Sequence, residues 1–539
     1  MSSKAKPVFI AIAVIALAVI MGFLTRDKQR QPSHTASSSS STDTARPSHS
    51  APANKSTRRN TDHIKQQYDL GEEPAGTRKN ERLVSFENEE DYRNFLASLA
   101  DRGLKLLGKS DRLRTARIGF GSNSNLSDID GAELGYNYIV SIPAPPQQGS
   151  AQADAVGFGN DALSWLGITS DNSQWGKGIT VAVLDSGVNN HIAFAEGKGN
   201  LTQLALTELP ADTAQLGHGT AVASIISGDH SQTPGVAPAS DILSIRISDE
   251  TGYSDSLTLA EGIIQAVDGG AQVINISMGS QGNSNVVANA VKYAQENGAV
   301  IVASSGNEGI NSVSYPAAYD GVIAVGAVEG NGDHLDFSNS GDQIGITAPG
   351  YQVNAAWGDD LLTQFTGTSA SAPFVSGAIA ATMSENPNLT AQQAADLVIN
   401  TTNEAGLPGT DPDYGQGVLD IGRVMESGTP GVYDVAIASQ VLVPPTEPSS
   451  LPYVWVTVQN QGTEPLINSP LTINSPTGTE SINISSLAPG AIATYKVPVA
   501  LPYDGSAIHV NSSVQNPAGD QDPRNNTRTD SFLRVTEEP

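Results

Sequence analysis

There is no cysteine among the 539 residues. Disulfide staples, a thiolate nucleophile and a thiolate metal site are therefore excluded, and packing and hydrogen bonds must hold the fold. Basic residues are scarce: 29 Lys and Arg stand against 56 Asp and Glu, a formal charge of −27. That balance argues against nucleic acid as a partner, because a phosphate backbone is held by clustered cations. No HExxH zinc spacing and no full EF-hand loop occurs.

Charge and apolar residues are unevenly spread. Residues 1–80 carry 12 Lys and Arg against 6 acids, whereas residues 151–539 carry 9 against 40. An acidic, lysine-poor body stays soluble in salt, which fits an exported protein. One 18-residue apolar run (7–24) follows Lys4 and Lys6. It is long enough, at about 1.5 Å per helical residue, for a signal anchor or the core of a cleaved signal peptide. Residues 25–80 are rich in Ser, Thr and Pro without apolar periodicity and read as a disordered linker. Residues 81–150 then read as a small α+β domain: a strand RLVSF, a helix over 89–99, one or two strands in KLLGKSDRLRTARIGF and a last strand YNYIVSI.

From 151 to 425, apolar strands alternate with helical segments, the pattern of a doubly wound parallel α/β sheet. Strands are expected at 179–184, 242–247, 272–276, 300–303, 322–325 and 344–348. Helices are expected at 218–226, 256–267, 285–296, 369–384 and 390–400. Residues 426–539 turn to short alternating strands and predict an all-β sandwich.

Three segments of the α/β part carry chemistry. Asp185 ends an apolar strand in VAVLDSGV, where the carboxyl ends of parallel strands place a site. His218, alone among the eight histidines, is bracketed by glycines, in QLGHGTAV. Ser369 opens a helix of small residues in FTGTSASAPFV, so the helix dipole favours negative charge developing beside it. An acid, a base and a hydroxyl nucleophile in the order Asp, His, Ser resemble the subtilisin-like serine proteases (subtilases).

That resemblance implies a serine endopeptidase acting through an acyl-enzyme, with Asp185, His218 and Ser369 as catalytic triad and no cofactor needed for the chemistry. Asn307, in VASSGNEG, matches the family's oxyanion donor. Gly252 and Tyr253 on one side, and Ser277, Met278 and Gly279 on the other, resemble the strands between which a substrate peptide adds. Ala303 to Gly306 would wall the S1 pocket, with Glu308 and Ser314 nearby and the S1 preference left open. The 81–150 domain resembles the family's propeptide, a folding template and temporary inhibitor, which implies a self-processing precursor whose partners are protein substrates and its own propeptide. The stretches VTVQNQGTEPL and DQDPRNNT resemble bacterial Ig-like, adhesion-related domains. Departures from the family pattern are Ala221 and Ser224 after the His motif, and Ala370 and Phe374 after the nucleophile. None removes a catalytic atom. Structural calcium finds oxygens at short spacing at Asp520, Asp522 and Asn525, or at Asp411 and Asp413, although the loop after the His helix lacks the family's Asn-rich insertion. The alternative is a surface-binding protein with an inactive α/β body, which predicts no Ser369-dependent peptide cleavage.

Overall fold

The computed structural model describes residues 73–122, 124–126, 129, 131–144, 155–194, 198–209, 217–445 and 451–534. The expected signal segment and most of the linker lie outside these residues. Among the described residues, no helix is long and apolar enough to cross a membrane.

The centre is a seven-stranded, wholly parallel sheet. Its order is Ile344–Pro349, Val322–Val328, Val300–Ser304, Val273–Ile276, Thr180–Asp185, Asp241–Arg246 and Leu201–Ala205. Successive side chains on a strand point to opposite faces, so each central strand feeds two cores. Val181, Val183 and Val302 join one core, shared with the helices His218–Ser227 and Thr368–Glu385. Ala182, Leu184 and Ile301 join the other, shared with Ser256–Asp268 and Asn285–Glu296. Near-continuous apolar runs in these strands are therefore required rather than an alternating pattern. The five expected helices and the six expected strands are present within one to three residues at their ends. The strand Leu201–Ala205 and the hairpin Val353–Trp357 with Leu361–Phe365 were not expected, each strand being only five residues long.

The N-terminal domain is an antiparallel sheet in the order Lys105–Ser110, Thr115–Gly119, Glu81–Phe86 and Ala132–Gly135. Its helix Glu89–Ser98 is capped by Asn88, whose side chain accepts from the Asp91 N–H, and buries Tyr92 and Phe95. Residues 73–80, expected in the linker, run against this domain instead: the Arg78 N–H donates to the Asn137 carbonyl at 2.8 Å. The expected last strand does not join that sheet. Ile139–Ser141 pairs antiparallel with Tyr253–Asp255 of the α/β body. Arg117 reinforces the docking by bridging Glu81 and Asp255, each at 2.8 Å, while Asp255 also caps the Ser256–Asp268 helix.

The strands from Val435–Val443 to Thr527–Phe532 form a β-sandwich of a three-stranded and a four-stranded sheet around one apolar core. Arg423 ties it to the α/β body, its Nε donating to the Gln461 carbonyl at 3.0 Å and its Nη1 to the Thr402 carbonyl at 2.7 Å. Gln459 accepts from the Glu404 N–H and donates to Thr402 O. Burial at this seam pushes the Glu404 carboxyl up to about 7 against its usual 4.5. A carboxyl whose pKa is raised on folding contributes stability below the unfolded value and loses it as pH rises through the folded one. Glu404→Gln should therefore stabilise the protein at pH 8.5 by about 1–3 kcal/mol and have little effect at pH 4, read from denaturant midpoints. The amide oxygen can still accept from the Gly409 N–H, which now donates to Glu404 Oε1 at 2.8 Å.

Several of the suggested calcium ligands are engaged within the fold, while Asp411 Oδ2 and Asn525 Oδ1 are buried without a hydrogen-bond partner. Asp411 Oδ1 accepts from the Asp413 and Tyr414 N–H groups. Asp520 accepts from the Val435 and Asp522 N–H groups, Asp522 pairs with Arg524, and Asn525 donates to Asp434 and Gln461. Among the described residues, no group of three or more His, Asp or Glu is placed to hold a metal ion.

Candidate active site

Asp185 is the last residue of a central strand and is fully buried. Its Oδ1 accepts from the Ser186 N–H at 2.7 Å and lies 2.9 Å from His218 Nδ1, with Oδ2 at 3.0 Å. A carboxylate so held fixes the proton on Nδ1 and leaves Nε2 as an acceptor. His218 is the first residue of its helix, so its ring is placed by a rigid element. Gly219 is needed beside it: a Cβ there would lie 2.4 Å from the Gly187 carbonyl oxygen. Phe365, at the end of the hairpin, packs edge-on against the imidazole with ring centroids 5.2 Å apart.

Ser369 is the second residue of the Thr368–Glu385 helix, buried from Thr368 through Met383. Pro373, four residues on, has no N–H, so the Ser369 carbonyl loses its helical donor. Ser277 Oγ supplies one at 3.2 Å, and the Ser369 hydroxyl in turn donates to the Ser277 carbonyl at 3.1 Å. Ser277→Ala should cost about 1–3 kcal/mol in a denaturant melt, because it leaves that buried carbonyl unpaired. Restoring the hydroxyl with Thr should recover part of the loss.

Asn307 follows the Val300–Ser304 strand. Its Oδ1 accepts from both the N–H and the hydroxyl of Thr368, each at 2.9 Å, which fixes the amide so that Nδ2 faces outward. Nδ2 donates to the Ala144 carbonyl at 3.3 Å. Gly367 lies against this amide at φ +136°, and a Cβ there would come within 2.8 Å of Nδ2.

The predicted cleft residues divide. Gly252 accepts from the Ile142 N–H at 3.1 Å, and Gly279 exchanges two hydrogen bonds with Ser141, at 2.9 and 3.0 Å. Tyr253 pairs with Ser141 along the other edge. Residues 139–142 are thus the middle strand between the two predicted walls. Gly306 and Ser304 border a cavity of about 240 Å³ together with Gly279, Glu308, Ser314 and Pro143. Met278 and Ala303 do not present side chains there. Both are fully buried in the apolar core, because strand alternation turns them away from the cleft. Thr368 and Phe365 were missed from the sequence. Thr368 stands in the GTS motif itself, whereas nothing near Phe365 announces that its hairpin folds back over the histidine.

Residues 176–417 match the sequence profile of the Subtilase family. The chain is similar to a thermostable alkaline protease of Halalkalibacterium halodurans, 31% identical over 306 residues that cover 55% of this chain and 82% of the relative. It is also 31% identical to Subtilisin Savinase of Lederbergia lenta over 255 residues, 46% of this chain and 90% of that one. Among solved structures, fervidolysin from Fervidobacterium pennivorans, described as a keratinolytic enzyme related to subtilisin, shares the fold. The TM-score is 0.56 at 22% identity, covering 86% of this chain and 77% of that structure. The chain belongs to the subtilase family of serine endopeptidases.

Proposed function

We propose that this chain is an exported, self-processing precursor that hydrolyses peptide bonds through Asp185, His218 and Ser369. The observation that carries the reading is the buried Asp185–His218 contact at 2.9 Å, together with an outward-facing Asn307 amide beside the N-terminus of the Ser369 helix. Ser369 turns its hydroxyl from the Ser277 carbonyl to His218 Nε2 and gives up its proton as Oγ attacks the scissile carbonyl. Asp185 stabilises the imidazolium that forms. The developing oxyanion is met by Asn307 Nδ2 and the Ser369 N–H, both held in place beforehand. His218 then returns the proton to the leaving amine, and water releases the acyl group by the same steps in reverse.

Peptide substrates bind as a strand between Gly252–Tyr253 and Ser277–Gly279, the position that residues 139–142 occupy in the precursor. The N-terminal domain is accordingly read as the propeptide, inhibiting its own protease until removed. Export is part of this reading, in keeping with the acidic, lysine-poor body.

Asn307→Ala tests the oxyanion role. It should lower kcat by about 10²–10³ while KM for a peptide substrate changes little, because the amide stabilises charge that exists only in the transition state. An unchanged kcat would remove Asn307 from the mechanism.

A further inference from the structure

The strand that fills the cleft carries prolines where it passes the catalytic groups. Ser141 and Gly279 form a narrow, doubly hydrogen-bonded antiparallel pair. Such pairs recur every second residue, so the next would join residue 143 to Ser277. Residue 143 is Pro, with no N–H to give. The Ser277 carbonyl that such an N–H would occupy accepts the Ser369 hydroxyl instead, at 3.1 Å. A hydroxyl has one proton, and in this arrangement it is not directed to His218. The carbonyl seated on Asn307 is that of Ala144, and the residue after it is Pro145, followed by Pro146.

We propose that residues 139–144 form a proline-locked inhibitory strand that occupies the cleft without being cleaved at 143–144 or 144–145, so that maturation depends on a bond elsewhere. This rests on the protease reading above. Acylation at Ala144 would form a bond from Ser369 Oγ to the carbonyl carbon and break the bond to the Pro145 nitrogen. The proton from Ser369 would pass through His218 to that nitrogen. A prolyl nitrogen carries a ring carbon where a peptide N–H would be and leaves as a hindered secondary amine, which disfavours its protonation by a general acid. At 143–144, the missing N–H removes the hydrogen bond that would align the acyl residue and release the nucleophile from Ser277.

The test compares the full chain with its Pro143→Ala/Pro145→Ala variant, each also carrying Ser369→Ala as control. Intact mass and N-terminal sequencing follow cleavage, and a compact fluorophosphonate reports the free nucleophile. Wild type should remain uncut at 143–144 and 144–145. The double variant should be cut there in a Ser369-dependent way and label at least tenfold faster. A wild-type fragment beginning at Ala144 or Pro145 would overturn the lock. So would a double variant that labels at the wild-type rate and stays uncut. Loss of labelling from both chains would overturn the nucleophile assignment and the lock with it. A synthetic peptide of residues 136–147 gives the same answer without refolding: the native peptide should survive incubation with the processed enzyme, and its doubly Ala-substituted form should be hydrolysed.

Discussion

Ser369→Ala is expected to lower kcat on a peptide substrate by about 10⁶ and to leave the precursor unprocessed. The side chain loses one oxygen, and the helix around it is too well packed to shift. The neighbours of Ser369 on that helix, Thr368 and Ala370, are buried, and the apolar residues from Ala370 onward belong to one continuous core. The loss should therefore be chemical rather than structural. The Ser277 carbonyl would lose its hydroxyl partner, but the Ser277 hydroxyl would still serve the Ser369-position carbonyl that Pro373 leaves open. The stability of the variant precursor should fall by no more than about 1–3 kcal/mol, the cost expected of one unpaired buried carbonyl, while activities differ by orders of magnitude. Residual activity would come from Asn307 and the substrate strand alone. A variant that keeps a tenth of wild-type turnover would place the nucleophile elsewhere.

The second large effect is expected at Asp185. Asp185→Asn is close to isosteric, and its remaining oxygen can still accept the Ser186 N–H now received at 2.7 Å. The amide NH₂ would then face His218 Nδ1, which today meets both carboxylate oxygens within 3.0 Å. An NH₂ there donates rather than accepts, so the ring must carry its proton on Nε2. That nitrogen can no longer take a proton from Ser369. The expected loss in kcat at neutral pH is about 10⁴, with an unchanged far-ultraviolet dichroism spectrum and a KM near wild type. A loss below tenfold would mean that the carboxylate does not set the tautomer.

Much of this was legible because the relevant signals are local. Parallel strands buried on both faces must be apolar throughout, and runs such as TVAVLD and VIVAS announce themselves. Asp185, His218 and Ser369 stand in turns whose glycines have steric reasons visible in the fold, as at Gly219. The parts that were not legible depend on distant partners. YNYIVSI reads as a strand, yet nothing in it says that it pairs with Tyr253–Asp255 rather than with its own sheet. The alternation along Val300–Ser304 could have assigned Ala303 to the core and Ser304 to the cavity, but only once the strand's facing was known. The fixing of the Asn307 amide by Thr368 joins residues 61 positions apart and has no sequence pattern of its own. The acidic pairs suggested for calcium were legible as composition, whereas the N–H groups that meet Asp411 Oδ1 and the pairing of Asp522 with Arg524 depend on local turn geometry.

The most direct test of the account is the site of covalent labelling. The full chain and its Ser369→Ala variant would be exposed to a compact fluorophosphonate over a long time course, with peptide mapping by mass spectrometry. The account predicts one adduct, on Ser369, that appears as the 139–144 strand leaves the cleft and is absent from the variant. An adduct that persists in the variant, or no adduct on Ser369 in chains that have lost the strand, would contradict it.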